Sequence, residues 1–188
     1  MKSKLFVIGK PIKHSRSPTI HNFWIDKYSL NASYNKLEVD ETEIKGLMQQ
    51  VRDGKIQGLN ITIPYKKIMK DFVDEVEESA LRSNAINTVY MVKDKIIGAN
   101  TDGIGFISSL KKDLSFNINS NTKVMCIGAG GAAYGIVSSL IDLSPNIIRI
   151  INRTKSSGIK LIKHFEKFTQ SKKSFETALL NSNPINDV

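Results

Sequence analysis

The chain has 188 residues, 40% hydrophobic and 24% charged, a globular composition that excludes disorder along its whole length and suits one or two compact domains. No apolar run approaches the ~20 residues that cross a bilayer, no signal-peptide pattern opens the sequence, and a single cysteine (Cys126) with three scattered histidines suits neither a disulfide nor a metal site. The net charge of +9 comes from 22 Lys and 5 Arg spread along the chain, which reads as a solvated lysine-rich surface rather than a nucleic-acid face; a cytoplasmic protein with no membrane, nucleic-acid or metal partner is expected.

Residues 4–9 (KLFVIG) read as a short buried strand. The next segment carries Ile20, Phe23, Trp24 and Tyr28 near helical spacing, which predicts a helix packing through those side chains, with Ser17 as N-cap and Pro18 at the first helical position. Residues 34–39 (YNKLEV) alternate like a strand. Residues 40–54 open on an acidic turn and set Ile44, Leu47, Met48 and Val51 on one helical face, and residues 58–64 (GLNITIP) read as a third strand. This alternation is an α/β signature. A charged helical stretch around 74–83 follows, then two strands within 86–101 joined by a tight turn at Lys93, Asp94 and Lys95.

A second unit is expected from residue 103. Its first helix would use Ile104, Ile107 and Leu110, and a polar connector over 117–122 reads as flexible. Residues 123–128 (KVMCIG) then turn through glycines into a helix, 147–152 (IIRIIN) form another apolar run, and 155–168 read as a helix. That is the opening of a Rossmann-type unit. A complete doubly wound domain takes about six strands, so the cofactor domain is expected to be partial, with 183–188 (NPINDV) approaching its fourth strand. Its unpaired sheet edge would favour pairing with another chain, a homodimer for example.

The glycine turn supplies Gly128, Ala129, Gly130, Gly131 and Ala132, with Gly128, Gly130 and Ala133 at the G-x-G-x-x-G/A spacing between a strand and a helix. Glycines there make the tight turn and let backbone amides approach a pyrophosphate at a helix N-terminus. At the end of the next strand NAD enzymes place a carboxylate for the ribose hydroxyls; here stand Asn152, Arg153, Thr154 and Lys155, which suit a 2′-phosphate and point to NADP(H). Three further groups serve no cofactor domain. Ser15 and Ser17, two apart in the loop after the first strand, can present both hydroxyls to one carboxylate. Asn60, Thr62 and Lys66 stand at the proline-marked end of the third strand, where an amine beside amide and hydroxyl groups can polarise or protonate a substrate oxygen. Asn87, Asn100, Thr101 and Asp102 lie toward the junction of the two units, and a carboxylate there can pair with Lys66. Cys126, Phe23, Trp24 and Tyr28 read as core, and His21 as a residue that shapes the serine loop.

Together GKPIKHSRSPTIHN, NITIPYKK, AINTV, GANTDGIGF, GAGGAA and NRT, in this order along nearly the whole chain, resemble the shikimate dehydrogenase family. The resemblance implies an α/β fold: an N-terminal substrate domain with a mostly parallel sheet over residues 1–102, then a partial Rossmann-type NADP-binding domain over 103–188. It implies the reversible reduction of 3-dehydroshikimate to shikimate with NADPH, on the way to chorismate and the aromatic amino acids. Ser15 and Ser17 match the serines that hold the substrate carboxylate; Asn60, Thr62, Asn87 and Asp102 match groups around its hydroxyls. Lys66 and Asp102 match the catalytic pair.

Two departures stand out. The family usually has a small residue or glycine just before the Ala-(Ile/Val)-Asn-Thr string, where this chain has Ser83 and Asn84. Full-length relatives also continue past the position of Val188, through the nicotinamide-facing strands and a helix bearing a substrate-binding glutamine. The same residues suit a relative that also oxidises quinate, or a chain that binds the substrate without turning it over.

Overall fold

The computed structural model describes residues 2–168 and 175–179. The chain forms two compact units, Met1–Asn100 and Thr101–Val188.

In the first unit, strands β1 (Ser3–Gly9), β2 (Ala32–Glu38), β3 (Gly58–Ile61), β4 (Glu75–Val76), β5 (Thr88–Val92) and β6 (Lys95–Ala99) form one sheet in the order β2-β1-β3-β5-β6-β4. β1 runs parallel to β2 and β3, and β4 parallel to β6, while β5 is antiparallel to both neighbours. Helices α1 (Ser17–Lys27) and α2 (Ile44–Arg52) cover its two faces. Alternation along β1 makes that sandwich possible: Val7 faces a cluster with Ile12, Ile25 and Tyr34, and Ile8 faces the opposite cluster with the α2 residues. The α2 stripe Ile44, Leu47, Met48 and Val51 is fully buried, each side chain contributing roughly 1.5–3 kcal/mol of apolar transfer. A capping box between Asp40 and Glu43 starts the 3-10 turn Glu41–Glu43 that leads into α2.

α1 departs from its expected packing. Phe23, Trp24 and Tyr28 are 57%, 43% and 63% exposed, Ile20 is exposed with them, and Ile25 is the helix's buried residue. The spacing marked a real face, but one that points outward. α1 is anchored instead by Ile25 and by Asn22, whose side chain hydrogen-bonds the Tyr34 backbone both ways, Tyr34 N–H to Oδ1 at 3.0 Å and Nδ2 to the Tyr34 carbonyl at 2.7 Å. Those are the backbone groups that β2, an edge strand, leaves unpaired. Ser17 is also not the N-cap. Arg16 holds that position, Ser17 begins the helix, and the Ser15 hydroxyl takes the Ser17 N–H at 3.3 Å. The charged stretch at 74–83 is the short β4 and a brief helix α3 (Glu78–Ser83), and Lys95 begins β6 rather than sitting in the turn. α3 ends on Asn84 with φ 48°, ψ 36°, a left-handed conformation that asparagine tolerates better than other side chains and glycine better still.

The second unit holds α4 (Asp102–Asp113), β7 (Lys123–Ile127), α5 (Gly131–Asp142), β8 (Ile147–Asn152), α6 (Lys155–Glu166) and β9 (Phe175–Leu179), the strands forming a parallel sheet in the order β7-β8-β9. Its core joins Val137, Leu140, Ile148, Ile150, Leu161 and Phe165. Ile107 packs on this core, whereas Ile104 is 66% exposed, because α4 meets α5 through Gly103. The 117–122 connector is tied locally by Asn119 N–H to Thr122 Oγ1 and Asn121 N–H to Asn119 Oδ1. Residues 183–188, with the expected fourth-strand approach, lie outside the described residues.

Candidate active site

The register of the first sheet decides where the candidate residues go. Parallel pairing sets the carboxyl ends of β1 and β3 at one edge of the sheet, Val7 opposite Asn60 and Ile8 opposite Ile61. The loop after β1 therefore brings Ser15 and Ser17 to the same edge as Thr62 and Lys66 after β3. Because β5 is reversed, with Thr88 opposite both Asn60 and Ala99, its amino end, preceded by Asn87, and the carboxyl end of β6, followed by Asn100, arrive there too. Thr62 and Lys66 are half-buried, and Asn87 and Asn100 are buried. The Lys66 carbonyl accepts the Ile86 N–H at 2.7 Å, and Asn100 Nδ2 donates to the Ala85 carbonyl at 2.8 Å, so one dipeptide is held by both residues. Asp102 is the first residue of α4 and belongs to the second unit.

A residue absent from the sequence reading joins several of these groups. The Tyr34 phenol, 3% exposed, donates to Asn60 Oδ1 at 2.6 Å. Asn60 Nδ2 in turn donates to the Asn87 carbonyl and to Thr88 Oγ1, both at 3.2 Å, and Thr88 Oγ1 donates to Asn87 Oδ1 at 2.8 Å. Burial pushes the Tyr34 phenol well above its ordinary range, which keeps it a donor at any working pH. His21 stacks on its ring with centroids 4.1 Å apart, and burial lowers the imidazole pKa. The signal available for Tyr34 is general: a tyrosine at an inward strand position needs a partner for its hydroxyl.

In the second unit Gly128 follows β7 with φ +113°, a conformation for glycine, and its N–H bonds the Ile151 carbonyl at 2.7 Å. Gly130 is the N-cap of α5 and Gly131 its first residue, and a Cβ built on Gly128 or Gly130 meets nothing within 4 Å. The amide-rich turn is thus open to a ligand at the N-terminus of a 12-residue helix with no acidic side chain in its first turn. Ile127 pairs with Ile151, so this turn and the segment Asn152, Arg153, Thr154 and Lys155 lie at the same carboxyl end of adjacent parallel strands. Asn152 Nδ2 donates to the Thr154 carbonyl at 2.8 Å and shapes that turn, while Arg153 and Lys155 are exposed. Open glycines for a pyrophosphate and exposed cations for a 2′-phosphate fit NADP(H). Cys126 is half-buried against the core, and burial pushes its thiol pKa up, as an inert core cysteine requires.

The family model of the shikimate dehydrogenase substrate binding domain matches residues 7–89. A shikimate dehydrogenase (NADP(+)) of Pelagibacter ubique is 46% identical over 165 residues, covering 88% of this chain and 62% of its own length. That of Ruthia magnifica is 36% identical over 183 residues, covering 97% and 68%. The crystal structure of a shikimate dehydrogenase in complex with NADP+ superimposes with a TM-score of 0.85 at 30% identity, over 94% of this chain and 61% of that one. The chain therefore spans about three fifths of the length of such relatives, and with the identity and coverage of the Ruthia protein it belongs to the shikimate dehydrogenase family.

Proposed function

We propose that the first unit binds shikimate or 3-dehydroshikimate, that the second binds NADP(H), and that the chain serves the reversible NADPH-dependent reduction of 3-dehydroshikimate to shikimate. The observation that carries this reading is the convergence of Ser15, Ser17, Asn60, Thr62, Lys66 and Asn87 at one sheet edge, where hydroxyl, amide and ammonium groups match a carboxylate, a ring of hydroxyls and a carbonyl. Ser15 and Ser17 would hold the carboxylate, and Asn60, Thr62 and Asn87 the hydroxyls.

The chemistry the nicotinamide supplies when bound is a hydride to the ring carbonyl carbon. As that carbon becomes tetrahedral, negative charge grows on its oxygen; the Lys66 ammonium stabilises it and gives it a proton, yielding the alcohol. Asp102 follows the buried Asn100 by two peptide units, so its Cα lies within about 7 Å of that residue's. In this reading it orients Lys66 and accepts a hydrogen bond from the neighbouring hydroxyl. The glycines from 128 to 131 with Ala132 would seat the pyrophosphate, and residues 152–155 the adenosine 2′-phosphate, as the name of the Pelagibacter relative suggests for NADP. Among the described residues no helix is long and apolar enough to cross a membrane. The cytoplasm as location and a homodimer as assembly belong to the same proposal, the latter measured by sedimentation.

The test is titration calorimetry of shikimate and of NADP+ with the purified chain, together with shikimate-dependent formation of NADPH in wild type and Lys66→Ala. Binding of both ligands, with any turnover abolished in Lys66→Ala, is the expected result. Folded protein that binds neither ligand overturns the reading.

A further inference from the structure

The backbone of Asn87 is held from both sides. Its N–H donates to the Ala99 carbonyl of β6 at 3.0 Å, and its own carbonyl accepts the Ile61 N–H of β3 at 2.8 Å and Asn60 Nδ2 at 3.2 Å. The residue is 8% exposed, so its place at the sheet edge is fixed. Backbone bonds do not settle which way the side-chain amide faces, because its two ends have nearly the same shape and opposite hydrogen-bonding character.

The side-chain bonds settle it from one obligate acceptor. A backbone carbonyl cannot donate, so the Asn60 group facing the Asn87 carbonyl is Nδ2, and Asn60 Oδ1 takes the Tyr34 phenol proton at 2.6 Å. Asn60 gives its other amide proton to Thr88 Oγ1 at 3.2 Å, and the Thr88 hydroxyl, accepting there, donates to Asn87 Oδ1 at 2.8 Å. Asn87 Oδ1 therefore faces Thr88, and the end of the amide that can meet a ligand is Nδ2, a donor. A donor addresses a ligand oxygen through its lone pairs, whereas a reversed amide would need a hydroxyl proton to accept.

We propose that Thr88 is a positioning residue that holds the Asn87 amide with Nδ2 as its ligand-binding end, so that the site recognises one ring oxygen of the substrate by a preset donor. This rests on the assignment of the first unit to shikimate and names how one of its polar groups is oriented. Asn60 and Tyr34 stand behind Thr88, and the order in which they pass hydrogen bonds makes the orientation a property of the folded sheet before any ligand arrives.

Three forms of the 188-residue chain decide it: wild type, Thr88→Val, which keeps the branched shape and removes the hydroxyl, and Thr88→Ser, which keeps the hydroxyl. The first readout needs no ligand. The Asn87 side-chain amide signals, identified by their loss in Asn87→Ser, are followed by NMR relaxation. Wild type and Thr88→Ser are expected to show an order parameter near that of rigid backbone, about 0.85, and Thr88→Val one below about 0.6 with the Asn87 backbone amide still rigid. A mobile side-chain amide in wild type, or one as rigid in Thr88→Val as in wild type, overturns the proposal. The second readout is shikimate affinity by calorimetry. Thr88→Val is expected to weaken binding about five- to ten-fold, the size of one lost hydrogen bond, and Thr88→Ser to restore it to within about two-fold of wild type. Equal losses in the two variants overturn the proposal, because they would follow the altered packing of β5 rather than the hydroxyl. Should Thr88→Val not fold, Thr88→Ala takes its place in both comparisons. If the wild type binds no shikimate, the functional reading fails, and the relaxation measurement still decides the role of Thr88.

Discussion

Gly103 and Gly105, two residues apart on α4, give opposite forecasts for one substitution. A Cβ built on Gly103 lies 2.2 Å from Ser139 Oγ, 2.3 Å from the Gly135 carbonyl oxygen and 2.9 Å from Ser139 Cβ. The serine hydroxyl can rotate away, but the carbonyl belongs to the α5 backbone. Relief to an ordinary contact of about 3.5 Å requires the helices to separate by about 1 Å. Overpacking of that kind costs about 1–3 kcal/mol, and the helix-propensity gain of up to ~1 kcal/mol offsets little of it so near the helix start. At Gly105 the same Cβ meets nothing within 4 Å, so the propensity gain stands alone. Gly103→Ala should therefore lower the stability of the second unit by about 2 kcal/mol, on the order of 10 °C in Tm, and Gly105→Ala should raise it by about 0.5–1 kcal/mol. Thermal and urea unfolding followed by far-ultraviolet circular dichroism measures both. A Gly103→Ala protein as stable as wild type, or two variants that shift in the same direction, refutes the close α4–α5 approach.

The glycine turn separates folding from binding. Gly130→Ala places its Cβ in open space at an ordinary φ and should melt like wild type while losing NADP+ affinity at least about ten-fold, whereas Gly128→Ala, at φ +113°, should also lose about 1–3 kcal/mol of stability. Arg153→Ala should weaken NADP+ binding about ten-fold, leave NAD+ binding unchanged and leave Tm unchanged; equal losses for both dinucleotides in calorimetry would remove the 2′-phosphate assignment. His21 gives a pH dependence with a definite sign. Burial lowers its folded-state pKa below 6.5, so below that pH the unfolded chain binds more protons than the folded one, and stability falls as pH drops from about 6.5 through the lowered value. His21→Gln should flatten that part of the stability curve measured by urea titration between about pH 7.5 and 5, and a slope as steep as wild type would count against the stacking on Tyr34.

Much of this arrangement is legible in the sequence because it is local. The α2 stripe, the glycine turn and the β5–β6 hairpin each depend on residues within a few positions of one another, and each forms where periodicity and turn chemistry put it. The misreadings are non-local. Ile20, Phe23, Trp24 and Tyr28 mark a helical face, but spacing cannot say which face meets the sheet, and here Asn22 and Ile25 do. Ile104 follows the same logic, since Gly103 sets the α4 contact. β9, the third strand of the second sheet, was not distinguished from the polar residues around it; its pairing with β8, Ile150 opposite Thr177, is a long-range fact. Tyr34 is invisible as a site residue in the sequence because its neighbours in the hydrogen-bonded chain, Asn60 and Thr88, lie on β3 and β5.

The reversed strand β5 explains how so short a stretch of chain contributes so much of the site. In an all-parallel sheet, only segments after strands reach the carboxyl edge, and each additional segment requires a further crossover. A hairpin inserted with β5 running backwards delivers two segments at once: Asn87 before β5 and Asn100 after β6, brought level by the pairing of Thr88 with Ala99. Asn87 then completes the polar chain that begins at Tyr34, and Asn100 anchors Ala85 at the point where the chain passes into the second unit. A one-residue slip of the hairpin would turn Thr88 to the opposite face of the sheet and remove it from both Asn60 and Asn87. The register is held by Ile96 and Val89, both buried in the α2-side core, so the packing that stabilises the unit also sets the alignment of its polar groups.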